Sequence, residues 1–273
     1  MSYELAYEQL VSKVTTNGTA RSSRAGNTYS VFGTMLEINE LTKGQFPILT
    51  TRKMHPRPIW GELAAFLQGA DKLQDFKDLG CNYWDANAAA WFFNKNLPPE
   101  EQLVGKIYGY QWHNFTGVDQ LEQLVHSLTT EPYSRRHILS AWNPPDLPDM
   151  CLPPCHILAQ FQVNYGQLDC IVYMRSVDLC LGLPTDVVLY ATLLIVLAAH
   201  VDLDPVKLTF MMGDTHVYEG HLATWQIQSK RQHHAPPTYR YEPNPLGLYD
   251  FHPDMINLLG YVHEAPINYP LYA

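Results

Sequence analysis

The pattern of apolar and polar residues divides the first part of the chain into a helix, a loop and a strand. Apolar residues at helical spacing over residues 5–14 predict a first helix that ends near Asn17-Gly18. The polar residues 20–28 predict a loop, and the apolar stretch 29–38 predicts a strand. We therefore expect the chain to begin with a helix that a polar connection joins to a strand.

Two further helices are predicted before the middle of the chain. Residues 60–67 are mainly apolar around one carboxylate, Glu62, and residues 119–128 repeat leucine and valine at helical spacing. Residues 97–101 contain two prolines and predict a surface insertion. Residues 137–142 then begin a region that is rich in predicted strands.

A hairpin is predicted in this strand-rich region. Residues 156–163 and 168–174 are apolar stretches of strand length, and the residues between them, 164–167, read Asn-Tyr-Gly-Gln. A short connection with asparagine and glycine between two apolar stretches is typical of a tight turn between antiparallel strands. Both stretches are therefore predicted to be strands.

The last elements complete an alternating order of helices and strands. A helix is predicted over residues 187–201, a strand over 208–212 and a helix over 216–228. The apolar run 187–201 contains polar residues and falls short of the ~20 residues that a membrane span needs, so it predicts a buried core helix and no membrane association. The alternation predicts an α/β (α+β) fold, and no shift of composition divides residues 1–273 into two domains.

Composition and charge narrow the classes of ligand. Of the 273 residues, 46% are hydrophobic and 16% are charged, against about 25% charged in an average soluble protein. The net charge of −9 argues against a nucleic-acid polymer or a membrane surface as partner, although it permits a local basic pocket for a small anion. We expect a small ligand.

The cysteines indicate a reducing compartment. There are five of them, an odd number in a long chain: Cys81, Cys151, Cys155, Cys170 and Cys180. The first ten residues lack the basic start and apolar stretch of a signal peptide. We therefore expect reduced thiols and a cytoplasmic protein.

Cys155 is a candidate nucleophile. It follows Pro153-Pro154, which restrict the backbone at the mouth of a predicted strand. Taken alone, it is better explained as a small buried apolar residue, as most free cysteines are. Three arginines change that balance, because arginine suits phosphate binding and nearby positive charge lowers the pKa of a thiol. They are Arg135, Arg136 and Arg175.

A metal site is not predicted. His216 with His221, and the adjacent pair His233-His234, lack Cys or His partners at a zinc-like spacing. Cys151 and Cys155 do not form a C-x-x-C pair either. We therefore expect no metal.

Several spaced sequence blocks resemble the thymidylate synthase family. Arg135-Arg136 followed by HILSAWNPPDLPDMCLPPCHILAQF resembles the signature around that family's nucleophilic cysteine, and MRSVDLCLGLP at 174–184 resembles the segment that follows it. WGELAAFLQG at 60–69 and GDTH at 213–216 occur in family order, as do the blocks at 46–52, 83–85 and 108–112. Agreement of several blocks carries more weight than a single motif.

The resemblance implies a fold and a reaction. The implied fold is one mixed β-sheet flanked by helices, and in a homodimer two such sheets pack back to back. The implied reaction uses 5,10-methylenetetrahydrofolate as co-substrate and a pyrimidine nucleoside monophosphate as acceptor. Cys155 would add to C6 of the pyrimidine, which makes C5 able to attack the folate methylene. Glu62 would act as general acid and base.

The resemblance also assigns binding residues. Those for the nucleotide are Arg24, Arg135, Arg136, Arg175, Ser176, Asp186, His216, Tyr218, Tyr108, His156 and Gln160. Those for the folate are Arg52, Lys53, Trp84, Asp178, Leu181 and Gly182. Arg135 and Arg136 would reach the phosphate from the other subunit, His216 and Tyr218 would contact the sugar 3′-hydroxyl, and Arg52 with Lys53 would hold the folate glutamate tail. Because the loop at Arg24 is one residue shorter than the family pattern, Arg21 is an alternative phosphate ligand.

One position departs from the thymidylate synthase pattern and bears on the base. After residues 181–184 the family usually has Phe-Asn, whereas this chain has Thr185-Asp186. The family asparagine donates to uracil O4 and accepts from N3–H, and cytosine reverses both edges. A neutral Asp186 can donate to cytosine N3 and accept from N4, or a carboxylate can accept from both after N3 is protonated. An aspartate here resembles the deoxycytidylate (dCMP) hydroxymethylases, which are phage relatives, so the host cytoplasm is the corresponding location.

These residues lead to a first hypothesis and several alternatives. The first hypothesis is conversion of dCMP to 5-hydroxymethyl-dCMP, since replacing phenylalanine with Thr185 admits water that can add to the methylene intermediate. The alternatives are C5 methylation of dCMP, hydroxymethylation of CMP, and conversion of dUMP to dTMP. A non-catalytic nucleotide-binding or RNA-binding member of the family is the alternative from another class.

Overall fold

A computed structural model describes residues 2–23, 25–95, 102–243 and 247–272. In these ranges the helices are α1 (Tyr3–Asn17), α2 (Pro56–Leu67), α3 (Leu73–Asp78), α4 (Asp85–Lys95), α5 (Tyr108–His113), α6 (Gln120–Thr130), α7 (Gly182–His200) and α8 (Leu222–Gln228). The strands are β1 (Thr19–Ser23), β2 (Gly26–Ile38), β3 (Ile138–Ser140), β4 (His156–Asn164), β5 (Gln167–Asp178), β6 (Asp204–Tyr218), β7 (Thr238–Tyr241) and β8 (Ile256–Leu259).

Six of these strands form one mixed sheet. Their order is β1-β2-β6-β5-β4-β3, and β7 pairs with β8 in a separate two-stranded sheet. All neighbours in the large sheet are antiparallel except β5 and β6, which are parallel. The helix α7 connects the two parallel strands, as a parallel connection requires. The predicted α/β fold with one mixed sheet and flanking helices is confirmed.

The helix α7 is the centre of the hydrophobic core. Nearly every side chain from Leu183 to Ala198 is buried, and the hydroxyl of Thr192 donates to the carbonyl of Val188 while accepting from the indole nitrogen of Trp60 on α2. By length and composition alone this helix could cross a membrane, but 78% of its most apolar window is buried inside the fold. The prediction of a buried core helix is confirmed.

The tight turns and caps agree with the local sequence. The Ser2 hydroxyl accepts from the backbone of Leu5 at the start of α1, and Gly18 ends that helix. Between β4 and β5, Tyr165 and Gly166 have φ of 50° and 80°. Positive φ at both central residues is the requirement of a type I′ hairpin turn, which confirms the predicted hairpin.

Two predicted elements are wrong. Residues 20–28 were expected to be a loop, but β1 pairs with β2 there, with Arg21 opposite Thr28. Residues 216–228 were expected to be a helix, but His216 belongs to β6 and the helix α8 begins only at Leu222. In both cases neighbouring strands supply backbone partners, which the local pattern does not reveal. The predicted insertion at residues 97–101 lies outside the described residues.

One face of the large sheet is apolar and exposed. Met35 on β2 lies opposite Met211 on β6, and Met211 lies beside Tyr173 on β5, so the three form a row across three strands. They are 60%, 39% and 41% exposed, whereas their neighbours along each strand, such as Phe210, are buried. Ile171 extends the apolar surface along β5 at 42% exposure. This surface is called the outer face below.

Candidate active site

The backbone around Cys155 is fixed by two neighbouring elements. The Cys155 N–H donates to the hydroxyl of Tyr108 at 2.8 Å, and its carbonyl accepts from the backbone N–H of Arg175 at 2.9 Å. The Arg175 guanidinium donates to the carbonyls of Pro154 and Pro153 at 2.7 and 2.9 Å. The two prolines therefore expose carbonyls that Arg175 binds, and this holds the cysteine in place.

Arg175 also lies close to the Cys155 sulfur. One of its terminal nitrogens lies 3.9 Å from Sγ. Burial raises the pKa of the Cys155 thiol, Arg175 acts to lower it and Asp186 acts to raise it. Burial raises the pKa of Cys151 to about 12, and among the described residues only backbone hydrogen bonds, not a cation, act to lower it. Of the two thiols in this loop, Cys155 is the one with a neighbour that stabilises a thiolate.

Asp186 lies in a buried polar cluster at the start of α7. Burial and, after it, the charges of Glu62 and Asp178 hold the pKa of Asp186 well above its usual range. His156 Nε2 lies 3.9 Å from the Asp186 carboxyl, and burial lowers the pKa of His156 to about 3. The histidine is therefore neutral at neutral pH, and the pair is a neutral imidazole beside a carboxyl that favours its protonated form.

Two tyrosines hold His156 in this cluster. Its ring is stacked on Tyr108 with centroids 3.9 Å apart, and its Nδ1 lies 2.7 Å from the hydroxyl of Tyr190. Our sequence analysis did not identify Tyr190. The available signal was a single tyrosine in an apolar helix, one helical turn after Asp186.

Glu62 is buried on α2 and binds one donor. The indole N–H of Trp84 donates to Glu62 Oε1 at 2.9 Å. Burial raises the pKa of Glu62 to about 7, and the bond from Trp84 acts in the opposite direction. A carboxyl with this pKa both gives and accepts protons near neutral pH, as a general acid and base requires.

The pKa of Glu62 predicts a specific pH dependence of stability. The unfolded chain releases this proton near pH 4.5, whereas the folded chain holds it to about pH 7, so ionisation between these values favours unfolding. We expect the free energy of unfolding to lose up to about 3 kcal/mol over this interval from Glu62 alone. Glu62→Gln should remove that loss. Urea unfolding at pH 5, 6, 7 and 8 measures it, and a parallel pH profile of variant and parent would contradict the assignment.

The strand pair β5 and β6 aligns the residues assigned to phosphate and sugar. Ser176 lies beside Asp214, and Asp178 lies beside His216. Asp214 binds His216 Nδ1 at 3.1 Å, accepts from the Ser30 hydroxyl at 2.9 Å and forms an ion pair with Arg21 at 3.1 Å. The sequence analysis missed Asp214, although it lies two residues from His216 on the same side of a strand.

The two candidate phosphate arginines of the first loop differ in their placement. Arg21 is exposed on β1 and joins the group around Asp214. Arg24 lies outside the described residues, so its assignment as a phosphate ligand stays a prediction. The Tyr218 ring lies 5.1 Å from the His216 ring, which brings together the two residues assigned to the sugar.

Several residues that the resemblance assigns to the folate lie around the start of α7. A Cβ at Gly182 would lie 3.8 Å from both the Asp178 Cβ and an Asp186 carboxyl oxygen, so Gly182 is close to both aspartate side chains. Leu181 is half-buried and its carbonyl accepts from the hydroxyl of Thr185 at 3.0 Å. The indole N–H of Trp84 donates to Glu62, whose charge acts on Asp186 in the same region.

Of the two residues assigned to the folate glutamate tail, one is buried and the other is exposed. Arg52 is buried, donates to the Cys180 carbonyl at 2.6 Å and lies over the ring of Tyr269 at 4.9 Å. Lys53 is exposed. Lys53 is therefore the one of the two whose charge is open to a ligand.

Three residues assigned to the nucleotide lie on β4 or just before β3. Gln160 is half-buried on β4 and pairs with Ile138. Arg135 and Arg136 are exposed just before β3, and among the described residues neither forms an ion pair. Their placement leaves both guanidinium groups open to an external anion.

One group of potential metal ligands occurs in the described part of the chain. An oxygen of Asp178, the sulfur of Cys180 and a nitrogen of His221 lie within 4.8 Å of one another. The pair His233-His234, which the sequence analysis considered, instead faces two carboxylates, Glu8 and Glu264. The absence of a metal stays a prediction.

Nearly the whole chain is similar to known proteins. The family model described as thymidylate synthase matches residues 5–273. A bifunctional dihydrofolate reductase-thymidylate synthase from Glycine max is 35% identical over 284 residues, covering 98% of this chain and 53% of that protein. A protein of the same description from Leishmania amazonensis is 34% identical over 282 residues, covering 97% and 54%. The chain thus spans about half the length of these curated relatives.

Proposed function

The chain belongs to the thymidylate synthase family. From this membership and the site described above we propose that it transfers one carbon from 5,10-methylenetetrahydrofolate to C5 of a cytidine nucleotide and converts dCMP to 5-hydroxymethyl-dCMP. Asp186 is the single observation that carries the choice of base. It stands where the family pattern has asparagine, and burial together with the charges of Glu62 and Asp178 raises the pKa of its carboxyl.

The steps use the residues of the site. The Cys155 thiolate adds to C6 of the pyrimidine, and C5 then attacks the methylene carbon of the folate. Loss of the C5 proton and cleavage of the bond to folate leave an exocyclic methylene on the ring. Water adds to this methylene, the thiolate leaves C6, and tetrahydrofolate departs without being oxidised. Glu62, with a pKa of about 7, moves the protons on the base and the folate.

The protonation of Asp186 determines how it discriminates between the bases. A neutral carboxylic acid has one donor and one acceptor, so before the reaction it can pair with the N3 and N4 edge of cytosine and also with the edge of uracil. Addition of sulfur to C6 makes cytosine N3 more basic, and the proton of Asp186 can then move to the ring. The resulting ion pair is specific to cytosine and forms in the intermediate, where an added interaction assists catalysis.

Product analysis tests the function directly. Incubation of dCMP, CMP and dUMP with methylenetetrahydrofolate, followed by mass analysis, resolves the base, the sugar and the fate of the methylene together. We expect 5-hydroxymethyl-dCMP. Methyl-dCMP, hydroxymethyl-CMP or dTMP would each establish one of the alternatives, and the names of the relatives from Glycine max and Leishmania amazonensis favour dTMP among them.

A second measurement separates an enzyme from a binding protein. A nucleotide tritiated at C5 releases tritium to water only if C6 is attacked and C5 is substituted or exchanged. No release from dCMP, CMP or dUMP would favour a non-catalytic nucleotide-binding or RNA-binding protein.

We further propose that the active form is a homodimer that uses the outer face. Met35, Met211 and Tyr173 present a continuous apolar row that a second copy can cover. Arg135 and Arg136 are exposed and unpaired among the described residues, which suits a role at the partner's phosphate site. The resemblance to the family gives the same arrangement.

Mixing of two inactive variants should restore activity. Cys155→Ala lacks the nucleophile and Arg135→Ala lacks one phosphate contact, but one of the two sites in a mixed dimer contains both groups. After complete subunit exchange half of the dimers are mixed, and each mixed dimer has one whole site. One quarter of all sites are then whole, so we expect recovery of up to about one quarter of the parent activity. Activity is measured by product formation, with exchange proven by mass. No recovery despite complete exchange would place Arg135 outside the partner's site.

A further inference from the structure

The loop of residues 143–155, called the nucleophile loop below, is bound through its carboxylate Asp146 to both sides of Tyr108. Asp146 Oδ1 accepts from the ammonium group of Lys106 at 2.8 Å, and its Oδ2 accepts from the side-chain amide of Gln111 at 3.0 Å. Lys106 precedes Tyr108 by two residues and Gln111 follows it by three. One carboxylate therefore fixes both flanks of the tyrosine at the start of α5.

The contacts of Asp146 require an ionised carboxylate. Gln111 and Asn143 are buried, and the Asn143 amide donates to the same Asp146 oxygen at 2.9 Å and to the Gln111 side-chain oxygen at 3.1 Å. Hydrogen bonds from Lys106 and then from Gln111 hold the pKa of Asp146 below its usual range. An amide at position 146 would turn its own N–H groups towards one of these donors and leave a buried donor without an acceptor.

The backbone of the nucleophile loop is joined to the same part of the chain by three hydrogen bonds. They run from the Lys106 N–H to the Asp149 carbonyl at 2.9 Å, from the Cys151 N–H to the Val104 carbonyl at 3.1 Å and from the Cys155 N–H to the Tyr108 hydroxyl at 2.8 Å. Asp146 thus fastens one end of a contact whose other end is the backbone of the nucleophile itself.

We propose that Asp146 is a positioning residue for Cys155, which it places by holding Tyr108 against the nucleophile loop. The carboxylate fixes the start of α5, and the Tyr108 hydroxyl then fixes the Cys155 N–H. A displacement of about 1 Å in a reacting group can cost about a hundred-fold in rate, so a contact distant from the sulfur affects the addition to C6. The effect on the reaction rests on the proposed function, in which Cys155 is the nucleophile.

Arg175 provides the competing explanation for the placement of Cys155. Its guanidinium donates to the carbonyls of Pro153 and Pro154, and its backbone N–H donates to the Cys155 carbonyl. If these bonds were sufficient, Asp146 would contribute only to the stability of the fold. The two explanations differ at the Cys155 N–H, because the donors of Arg175 cannot accept a bond from it.

Hydrogen exchange at the cysteine amides distinguishes the two explanations without any substrate. Isotopic labelling of the five cysteine nitrogens gives a small set of NMR signals, and Cys155→Ser and Cys151→Ser identify theirs by loss. We expect Asp146→Asn to speed exchange at both of these amides by at least about ten-fold, with Cys170 in the middle of β5 unchanged. Unchanged exchange at Cys155 would overturn the proposal. Equal acceleration at Cys170 would also overturn it, since the change would then be a general loss of stability.

Asp149→Asn is the matched control in the same loop. The Asp149 carboxylate also contacts Lys106, at 3.2 Å, but its side chain is 52% exposed, whereas that of Asp146 is 16% exposed. The backbone carbonyl that accepts from Lys106 is kept in this variant. We expect exchange at Cys155 to stay within about two-fold of the parent, because an exposed ion pair contributes little. Acceleration equal to that in Asp146→Asn would overturn the assignment to Asp146.

A second variant covers the case in which Asp146→Asn does not fold. Lys106→Met removes the charged donor from a side chain that is partly exposed and leaves the bonds from Gln111 and Asn143 to the carboxylate. We expect it to speed exchange at Cys155 by at least about three-fold, since a charge-assisted hydrogen bond is lost. An unchanged rate in this variant would overturn the proposal as well.

Steady-state kinetics test the consequence for the reaction. We expect Asp146→Asn to lower kcat with dCMP by about ten- to a hundred-fold, with KM for dCMP and for methylenetetrahydrofolate within about two-fold of the parent. A change in KM alone, or an unchanged kcat despite faster exchange at Cys155, would overturn the positioning role. If the parent converts no nucleotide, the proposed function fails, while the exchange rates still decide whether Asp146 holds Cys155 in place.

Discussion

Cys155→Ser is expected to lose turnover by at least about a thousand-fold while it still binds dCMP. The hydroxyl of serine is a far weaker nucleophile than a thiolate, and Arg175 can stabilise a thiolate at 3.9 Å from Sγ but cannot ionise an alcohol at neutral pH. Binding should persist, because Asp186 and His216 do not depend on the sulfur. Product formation measures the loss, and calorimetric titration with dCMP measures the binding.

The same loop provides the control for this prediction. Cys151→Ser changes the same atoms four residues earlier, where no cation of the described part of the chain acts on the thiol, and it should retain activity within about two-fold. Turnover near the parent rate in Cys155→Ser would remove Cys155 as nucleophile. Equal losses in both variants would indicate damage to the loop instead.

Asp186→Asn is expected to reverse the preference between dCMP and dUMP. An amide donates to uracil O4 and accepts from N3–H, but it cannot transfer a proton to cytosine N3. On dCMP the amide loses the proton transfer to N3, and on dUMP it replaces an acid whose ionised form sets only acceptors against O4. A buried polar group without its partner costs about 1–3 kcal/mol, so kcat/KM should change by about ten- to a hundred-fold in each direction. Asp202→Asn, an exposed position just beyond α7, is the control. An unchanged preference would show that Asp186 does not discriminate between the bases and would favour thymidylate synthesis.

The pH dependence of the parent's preference between dCMP and dUMP also tests whether Asp186 discriminates between the bases. Burial raises the pKa of Asp186, so the neutral acid, which can also pair with uracil, is lost as the pH rises through that pKa. Any turnover of dUMP by the parent should therefore fall relative to that of dCMP as the pH increases. In Asp186→Asn the ratio should not change with pH, since an amide does not titrate in this range.

The sequence predicted the elements whose pattern is local. The helix α7 and the hairpin between β4 and β5 were found because a long apolar run and an Asn-Tyr-Gly-Gln turn contain their own signal. The strand β1 and the last residues of β6 were missed, because exposed or mixed residues become strands only when a neighbouring strand supplies hydrogen bonds. The register between β5 and β6 could not be derived from either strand alone.

For the candidate site, too, some features could be predicted from the sequence and others could not. The residue types at Cys155, Glu62 and Asp186 could be read from motifs, but their protonation depends on burial, which a motif does not contain. Arg52 illustrates the difference, since its charge was assigned to a folate tail although the fold buries it against Cys180 and Tyr269. Tyr190 and Asp214 orient other side chains, and such supporting residues become visible only when distances are known.

The parallel pair β5 and β6, with α7 between them, has a consequence for how such a chain can diversify. Asp178 ends β5, Asp186 lies in the first turns of α7, and His216 lies near the end of β6, so one crossover unit carries residues assigned to the cofactor, the base and the sugar. The backbone that presents them is fixed by a core of buried aliphatic side chains. A new substrate can therefore be acquired by exchanging one side chain at the rim, while the scaffold stays intact.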